Sequence, residues 1–153
     1  MNKIEKQVLI KGSVSKVWIS LTNYVHFGTW FRVSLDGPFE VGKTTTGHIT
    51  YPGYEHLKWT CVVKEMIHEE LFSFTWHPYA TDSAVDYSKE EPTLVEFRLK
   101  KIDGGTLLTL TESGFDKIPV NRAADAFRMN DRGWSEQMRN ISSYVEQTET
   151  EYY

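Results

Sequence analysis

The stretch GTLLTLTESGF at 105–115, together with the later pair Gly133-Trp134, decides the fold of this chain. A strand-type alternation with a period of two ends in Ser-Gly-Phe. From Val120 to about Gln147 the apolar residues then follow helical spacing. We therefore predict a curved sheet that closes over one long C-terminal helix, an arrangement that forms a cavity. The apolar stripe of this helix is Phe127, Trp134, Met138, Ile141 and Val145.

Gly133 lies inside the predicted long helix. Because glycine lacks a Cβ, we expect it to interrupt or kink the helix, or to allow a neighbouring element to pack closely. The tail from Thr148 to Tyr153 is predicted to be frayed.

The first part of the chain predicts one strand followed by two short helices. Residues 4–11 alternate as a strand, and Gly12-Ser13 breaks it. Ser13 or Ser15 can cap the first helix by accepting a hydrogen bond from a free backbone N–H. A second short helix is predicted over 23–30. The residues at helical spacing in the first helix are Val14, Val17, Trp18 and Leu21.

The middle of the chain predicts an antiparallel sheet with one wet face. The predicted strands are 44–51, 57–66, 71–77, 93–101 and 106–113. Alternation of apolar and polar residues along them is typical of such a sheet. The polar segment 78–92 carries few strand or helix signals, so we predict a long, mobile loop. The element order predicts the α+β class, with an antiparallel sheet gripping one helix in a single domain over 1–153.

Composition and charge argue against several classes of function. The 153 residues carry a net charge of −4 without a basic stripe, so we expect no nucleic-acid partner. No apolar run reaches the length of a membrane span and Met1 to Gln7 does not resemble a signal peptide, which predicts no membrane partner and a cytoplasmic location. Cys61, the one cysteine, has no partner for an internal disulfide. The sequence has no cluster of His, Glu and Cys residues at the spacing of metal ligands, and no Gly-rich phosphate loop follows a strand. We therefore predict no metal and no cofactor.

Several weak motifs, taken in order, resemble a known superfamily. The motifs are VLIKGSVSKVW at 8–18, Trp30-Phe31, Glu65 with LFSFTW at 71–76, GTLLTL at 105–110, SGF at 113–115, and Gly133-Trp134 with Tyr144-Val145. Over nearly the whole chain they resemble the START-like, birch-pollen-allergen-like (SRPBCC) superfamily. Within it, the chain is similar to the bacterial single-domain form of the activator of heat-shock protein ATPase homologues.

The resemblance implies a fold and two kinds of partner. It implies the helix-grip fold, in which a curved antiparallel sheet and a long helix, with two short helices after the first strand, enclose a pocket for a hydrophobic small molecule. In eukaryotic co-chaperones of this family the domain stands beside a separate N-terminal domain that also binds the chaperone. A chaperone, or another protein, is therefore the alternative partner. Both a monomer and a homodimer fit the sequence.

Glu112 is the strongest single candidate for a ligand-binding or catalytic residue. If Leu108 and Leu110 face inward, the strand period places Glu112 inward as well. In that position its carboxylate can orient a polar group of a ligand or take part in acid–base catalysis. Alternatively, Glu112 lies at the wet rim or pairs with an arginine of the long helix. The arginines in question are Arg122, Arg128 and Arg132.

Inward aromatic residues can line a pocket or simply fill the core. His48 is a further polar candidate, and Cys61 is predicted to be a buried small hydrophobic residue with no base nearby to activate it. The predicted ligand-binding residues are Trp30, His48, Trp59, Phe74, Trp76, Phe97, Glu112, Phe127, Trp134 and Met138.

Three functions remain open, because fold alone does not choose among them. The first is a non-enzymatic carrier or sensor of a hydrophobic or aromatic small molecule, which predicts an apolar cavity with one or two polar groups. The second is a co-chaperone-like interaction module, which predicts a filled core and an exposed patch. The third is a hydrolase or cyclase that uses Glu112, which predicts several polar groups converging on one point. We favour the first.

Overall fold

The computed structural model describes residues 3–82 and 84–147, which form one antiparallel sheet and three α-helices. The strands are β1 (Lys3–Ile10), β2 (Val33–Leu35), β3 (Thr44–Ile49), β4 (Lys58–Ile67), β5 (Leu71–Trp76), β6 (Thr93–Ile102) and β7 (Gly105–Ser113). The helices are α1 (Val14–Thr22), α2 (Tyr24–Phe31) and α3 (Val120–Gln147). The predicted α+β helix-grip architecture is confirmed. The tail for which fraying was predicted lies outside the described residues.

The sheet has seven strands in the order β1-β7-β6-β5-β4-β3-β2, and all neighbours are antiparallel. Its inner face is aromatic and aliphatic where β6 lies between β5 and β7. Phe97 pairs with Phe72 on one side and with Leu110 on the other, and all three side chains have no exposed surface. Burial of each such side chain stabilises the fold by about 1.5–3 kcal/mol. Helix α3 lies across this face with Trp134, Met138, Ile141 and Val145 buried.

Each of the two short helices is capped at its start by a side chain, and the cap of α1 is one of the two serines predicted for this role. The Ser13 side chain accepts the backbone N–H of Lys16 and caps α1. The Asn23 side chain likewise accepts the first free N–H groups of α2. Arg32 ends α2 in the left-handed conformation, with φ of 71°, and turns the chain into β2. This sharp reversal places Phe31 and Arg32 beside α3.

Three details differ from the sequence-based expectations. Strand β2, only three residues long, was not predicted. Helix α3 runs unbroken through Gly133, and a Cβ built there would meet nothing within 4 Å, so the expectations of an interruption and of close packing at Gly133 were wrong. The segment 78–92 contains a 3₁₀ turn at Tyr87–Lys89 and is fastened to α3.

Arg122, near the start of α3, makes the contacts that hold the segment 78–92 against the helix. Its guanidinium bonds to both carboxylate oxygens of Glu90 and to the backbone oxygens of Pro78 and Tyr79. It also lies 4.8 Å from the ring centroid of Tyr87. The side chains of Arg122 and Glu90 are only 16% and 14% exposed. This contact holds the connection between β5 and β6 against the helix.

Candidate functional site

A cavity of about 420 Å³ opens between α3, the end of α2 and the β3–β4 connection. Its walls come from the end of α2, the β3–β4 connection, the last residue of β5 and the middle of α3. Tyr51 and Tyr54 are 47% and 53% exposed, so this side of the cavity meets solvent. The lining residues are Phe31, Arg32, Ile49, Tyr51, Tyr54, Leu57, Trp76, Asn130, Gly133, Trp134, Glu136, Gln137 and Asn140.

The inner end of the cavity is built from two indole rings. The ring centroids of Trp76, at the end of β5, and Trp134, in the middle of α3, lie 5.6 Å apart. Phe31 packs edge-on against both, at 6.2 and 6.0 Å. Trp59 supports the Trp76 ring at a centroid distance of 5.8 Å. A ligand in this cavity would therefore meet aromatic surface on its buried side.

Glu112 holds this aromatic pair from behind. Its side chain has no exposed surface. The indole N–H of Trp76 donates to Oε2 at 2.7 Å, and that of Trp134 donates to Oε1 at 2.8 Å. Asn130 Nδ2 donates to Oε1 at 2.9 Å, and the Thr93 hydroxyl bonds to Oε2 at 2.6 Å. The predicted inward orientation of Glu112 is confirmed.

The donors around Glu112 occupy the acceptor sites of both its oxygens. Indole nitrogen and amide NH₂ groups only donate, so both oxygens of Glu112 must accept. A carboxylate has about four acceptor sites. Trp76, Thr93, Asn130 and Trp134 supply four donor groups for them. The alternatives of an arginine partner and of a wet rim were wrong, because none of these four partners is an arginine and the Glu112 side chain has no exposed surface. Arg122 pairs instead with Glu90, and Arg128 with Asp125.

The helical wall of the cavity is polar. Asn130, Gly133, Gln137 and Asn140 follow one another at spacings of three and four residues, which places them on one face of α3. Gln137 Nε2 donates to the backbone oxygen of Phe31 at 3.0 Å, and Asn140 Nδ2 donates to Gln137 Oε1 at 3.0 Å. This chain of hydrogen bonds ties α3 to the end of α2. Because Gly133 has no side chain, the wall is open at its centre.

Two charged residues flank the cavity. Arg32 is exposed and lies 5.6 Å from the ring centroid of Tyr51, a cation–π contact across the open side. Glu136 lines the cavity from α3 and is also exposed. Because both side chains are exposed, solvent screens their charges.

The predicted ligand-binding residues divide into three groups by position. Trp76 and Trp134 line the cavity and Glu112 lies behind them. The aromatic core beneath contains Trp30, Trp59, Phe74 and Phe97, and the buried face of α3 adds Met138. His48 lies exposed on β3, away from the cavity lining, and Phe127 packs against Phe115 at a centroid distance of 5.1 Å.

Sequence reasoning missed most of the polar wall. A search for polar residues at helical spacing beside Trp134 would have found Asn130, Gln137 and Asn140. No comparable signal marks Arg32, Ile49 or Leu57, whose place in the lining depends on the left-handed turn after α2 and on the β3–β4 connection.

Cys61 is a core residue rather than part of this site. It is 1% exposed, and burial raises the pKa of its thiol to about 12, with a backbone hydrogen bond from Thr45 opposing the shift. A thiol in this state is a poor nucleophile at neutral pH. In the ranges 3–82 and 84–147, no three His, Cys, Asp or Glu side chains are grouped to hold a metal ion. Within the same ranges, none of the helices has the length and apolar character needed to cross a membrane.

The fold and the site define a class of protein, a helix-grip domain with a cavity beneath its long helix. The family model of the Activator of Hsp90 ATPase homolog 1-like proteins matches residues 11–146, so the chain belongs to this family. The predicted resemblance is thereby confirmed. None of the curated proteins matches the chain significantly.

Solved structures of bacterial proteins share the fold. A protein from Mesorhizobium loti is 20% identical, with a TM-score of 0.75, over 95% of this chain and 98% of that one. A protein from Arthrobacter aurescens is 12% identical, with a TM-score of 0.76, over 95% and 86%. The Aha1 dimer from Colwellia psychrerythraea is 17% identical, with a TM-score of 0.70, over 95% and 97%. At these identities the likeness concerns the fold alone.

Proposed function

We propose that this protein binds a hydrophobic or aromatic small molecule in the cavity beneath α3 and acts as a carrier or sensor. The observation that carries the proposal is the aromatic end of the cavity, where Trp76 and Trp134 are fixed by a buried carboxylate. Four neutral donor groups converge on Glu112, and the result is a rigid surface shared by the sheet and the helix. A surface fixed in advance binds a ligand with a smaller loss of conformational entropy.

The size and lining of the cavity fit a small ligand. Its volume of about 420 Å³ lies within the range of about 300–1,000 Å³ that is usual for ligand sites. Apolar contact would come from Phe31, Ile49, Leu57 and the indole pair. Polar contact would come from the amide side chains of α3.

Native mass spectrometry of the protein purified from its own host tests this proposal. A stoichiometric small molecule, released and identified under denaturing conditions, is the expected result. A matched sample of Gly133→Leu, which fills the open centre of the helical wall, should carry less of it. If wild type and variant carry the same compound in the same amount, the compound lies elsewhere and the cavity is not the binding site.

A second candidate function is a co-chaperone-like interaction with a heat-shock protein. The family match over 11–146 favours it, because that family is named for activation of the Hsp90 ATPase. The test is the ATPase rate of the host's Hsp90 homologue with and without this protein. Stimulation that survives Gly133→Leu would assign the activity to the surface rather than to the cavity.

A hydrolase or cyclase that uses Glu112 has less support. General acid–base catalysis requires a carboxyl group within hydrogen-bond reach of the substrate. Here the acceptor sites of Glu112 are already taken by protein donors, two of which belong to rings that separate it from the cavity. We therefore assign Glu112 a positioning role.

A further inference from the structure

Two carboxamide side chains on the helical wall of the cavity keep hydrogen-bonding capacity that the protein does not use. Gln137 presents its nitrogen to the carbonyl oxygen of Phe31, which can only accept, so the orientation of this amide is fixed. Its oxygen accepts from Asn140 Nδ2, which fixes the second amide in turn. Each NH₂ group has two N–H bonds and uses one of them in these contacts. In the part of the chain that the structure describes, the remaining N–H of each residue and the oxygen of Asn140 have no hydrogen-bond partner.

These unused groups give the wall both donors and acceptors at neighbouring positions. Gln137 and Asn140 are three residues apart on α3, and both line the cavity. Asn140 therefore offers one acceptor and one donor, and Gln137 offers a further donor. On the open side, the phenol hydroxyls of Tyr51 and Tyr54 can also both donate and accept. A ligand group that only accepts or only donates would leave part of this set unpaired, which is unfavourable at half-buried positions.

The lining offers a buried ligand group no ionic partner. Among the described residues that line the cavity, the charged side chains are Arg32 and Glu136, which have opposite signs and are both exposed. Glu112 lies behind the indole rings of Trp76 and Trp134, and its oxygens accept from protein donors. An ionised ligand group at the inner end would lose its hydration without an opposite charge in the lining beside it. We therefore expect the buried part of a ligand to be uncharged.

We infer that the cavity selects an uncharged aromatic compound with a hydrogen-bond donor and an acceptor side by side on one edge, as in a carboxamide or a lactam. The ring lies against Phe31, Trp76 and Trp134, and the polar edge pairs with Gln137 and Asn140. Such an edge can accept from one side-chain amide and donate to the other, as two amides do when they pair. This inference rests on the proposed function, since it names the ligand class of the same cavity.

Four probes that share a naphthalene ring test the inference by isothermal titration calorimetry at neutral pH. They are 2-naphthamide, which has a donor and an acceptor, methyl 2-naphthoate, which has acceptors alone, and the ions 2-naphthoate and 2-naphthylmethylammonium. The amide should bind with a dissociation constant about fivefold lower than that of the ester, the scale of one additional hydrogen bond. Both ions should bind about tenfold more weakly than the amide, because burial removes their hydration.

Substitutions at Asn140 test whether the preference comes from α3. Asn140→Leu removes a donor and an acceptor, so the amide should bind about as weakly as the ester. Asn140→Asp retains the shape but lacks the donor and adds a negative charge. It should also lose the preference for the amide and should favour the cation over the anion by about tenfold, so it carries the test if Asn140→Leu does not fold. Asn121→Leu, at an exposed position of α3 outside the cavity lining, is the matched control and should leave all four affinities unchanged. A preference for the amide that survives both substitutions at Asn140 would overturn the inference.

The outcomes separate this inference from the proposed function. Equal affinity for the amide and the ester, or tighter binding of either ion by the wild type, would overturn the inference while leaving a cavity that binds small molecules. Binding of the amide that Gly133→Leu does not weaken would place the site elsewhere and overturn the inference too. No binding of any probe would have the same consequence. The proposed function would then be judged by the co-purification experiment, which makes no assumption about the polar edge of the ligand.

Discussion

Trp76 and Trp134 lie on different elements, yet they donate to opposite oxygens of one carboxylate, with their ring centroids 5.6 Å apart. Through Glu112, the end of β5 and the middle of α3 are held in one geometry. The same contact explains why a buried carboxylate is tolerated, since each of its oxygens accepts from at least two donor groups.

Replacement of Glu112 by Gln should destabilise the protein although the shape is almost retained. The new NH₂ group cannot accept, so at least one indole N–H loses its partner. An unsatisfied buried donor costs about 1–3 kcal/mol. Urea denaturation followed by far-ultraviolet circular dichroism measures the free energy of unfolding. Glu5→Gln, on an exposed position of β1, is the matched control and should change stability by less than about 0.5 kcal/mol. Equal stability of the two variants would show that the hydrogen bonds to Glu112 are not stabilising.

Gly133→Ala should stabilise the protein. A Cβ at this position meets nothing within 4 Å, and alanine is favoured over glycine inside a helix by about 0.5–1 kcal/mol. Gly28→Ala, in α2, is the opposite case, since its Cβ would lie 2.3 Å from the backbone oxygen of Val33. Thermal unfolding of both variants should therefore shift the midpoint in opposite directions. A lower midpoint for Gly133→Ala would contradict the open space assigned to this part of the wall.

Most of the fold could be predicted from the sequence because its signals are local. Alternation along β5, the cap at Ser13 and the apolar stripe of α3 each depend on neighbours within a few residues. Strand β2 could not be predicted in this way. It has only three residues, and its pairing depends on the left-handed turn at Arg32.

The candidate site was predictable only in part, for a related reason. The strand period places Glu112 inward, but its partners come from β5, β6 and α3, and their distances cannot be read from spacing. The arginines of α3 looked like suitable partners by charge alone. Arg122 lies instead where the 78–92 segment crosses the helix, and it satisfies Glu90 there.

Removal of Arg122 should loosen the 78–92 segment. Arg122→Ala breaks a largely buried ion pair and two hydrogen bonds to backbone oxygens. We expect the free energy of unfolding to fall by about 1–3 kcal/mol. Limited proteolysis should cut between residues 78 and 92 faster than in the wild type. The matched control is Arg128→Ala, whose pair with Asp125 is 66% and 55% exposed and contributes less than about 0.5 kcal/mol. Equal cleavage rates for both variants would show that Arg122 does not hold the segment.

Cys61 should make the fold sensitive to alkaline pH. Burial raises the pKa of its thiol from 9.0 to about 12 in the folded state. Below pH 9 both the folded and the unfolded chain keep the proton, so Cys61 contributes no pH dependence there. Between pH 9 and 12 the unfolded chain loses the proton first, and the free energy of unfolding falls by up to about 1.4 kcal/mol per pH unit.

The measurement is urea denaturation of wild type and Cys61→Ala at several pH values between 8 and 11. Lysine and tyrosine residues titrate in both proteins. The difference between the two slopes of the free energy of unfolding against pH therefore isolates the contribution of the thiol. Cys61→Ala should be less stable at pH 8 because it leaves a small void, yet its stability should fall less steeply as the pH rises. Parallel slopes would mean that Cys61 ionises as easily in the folded chain as in the unfolded one. Rapid iodoacetamide labelling of the native protein at pH 8 would contradict the buried thiol in the same way, since only the thiolate reacts.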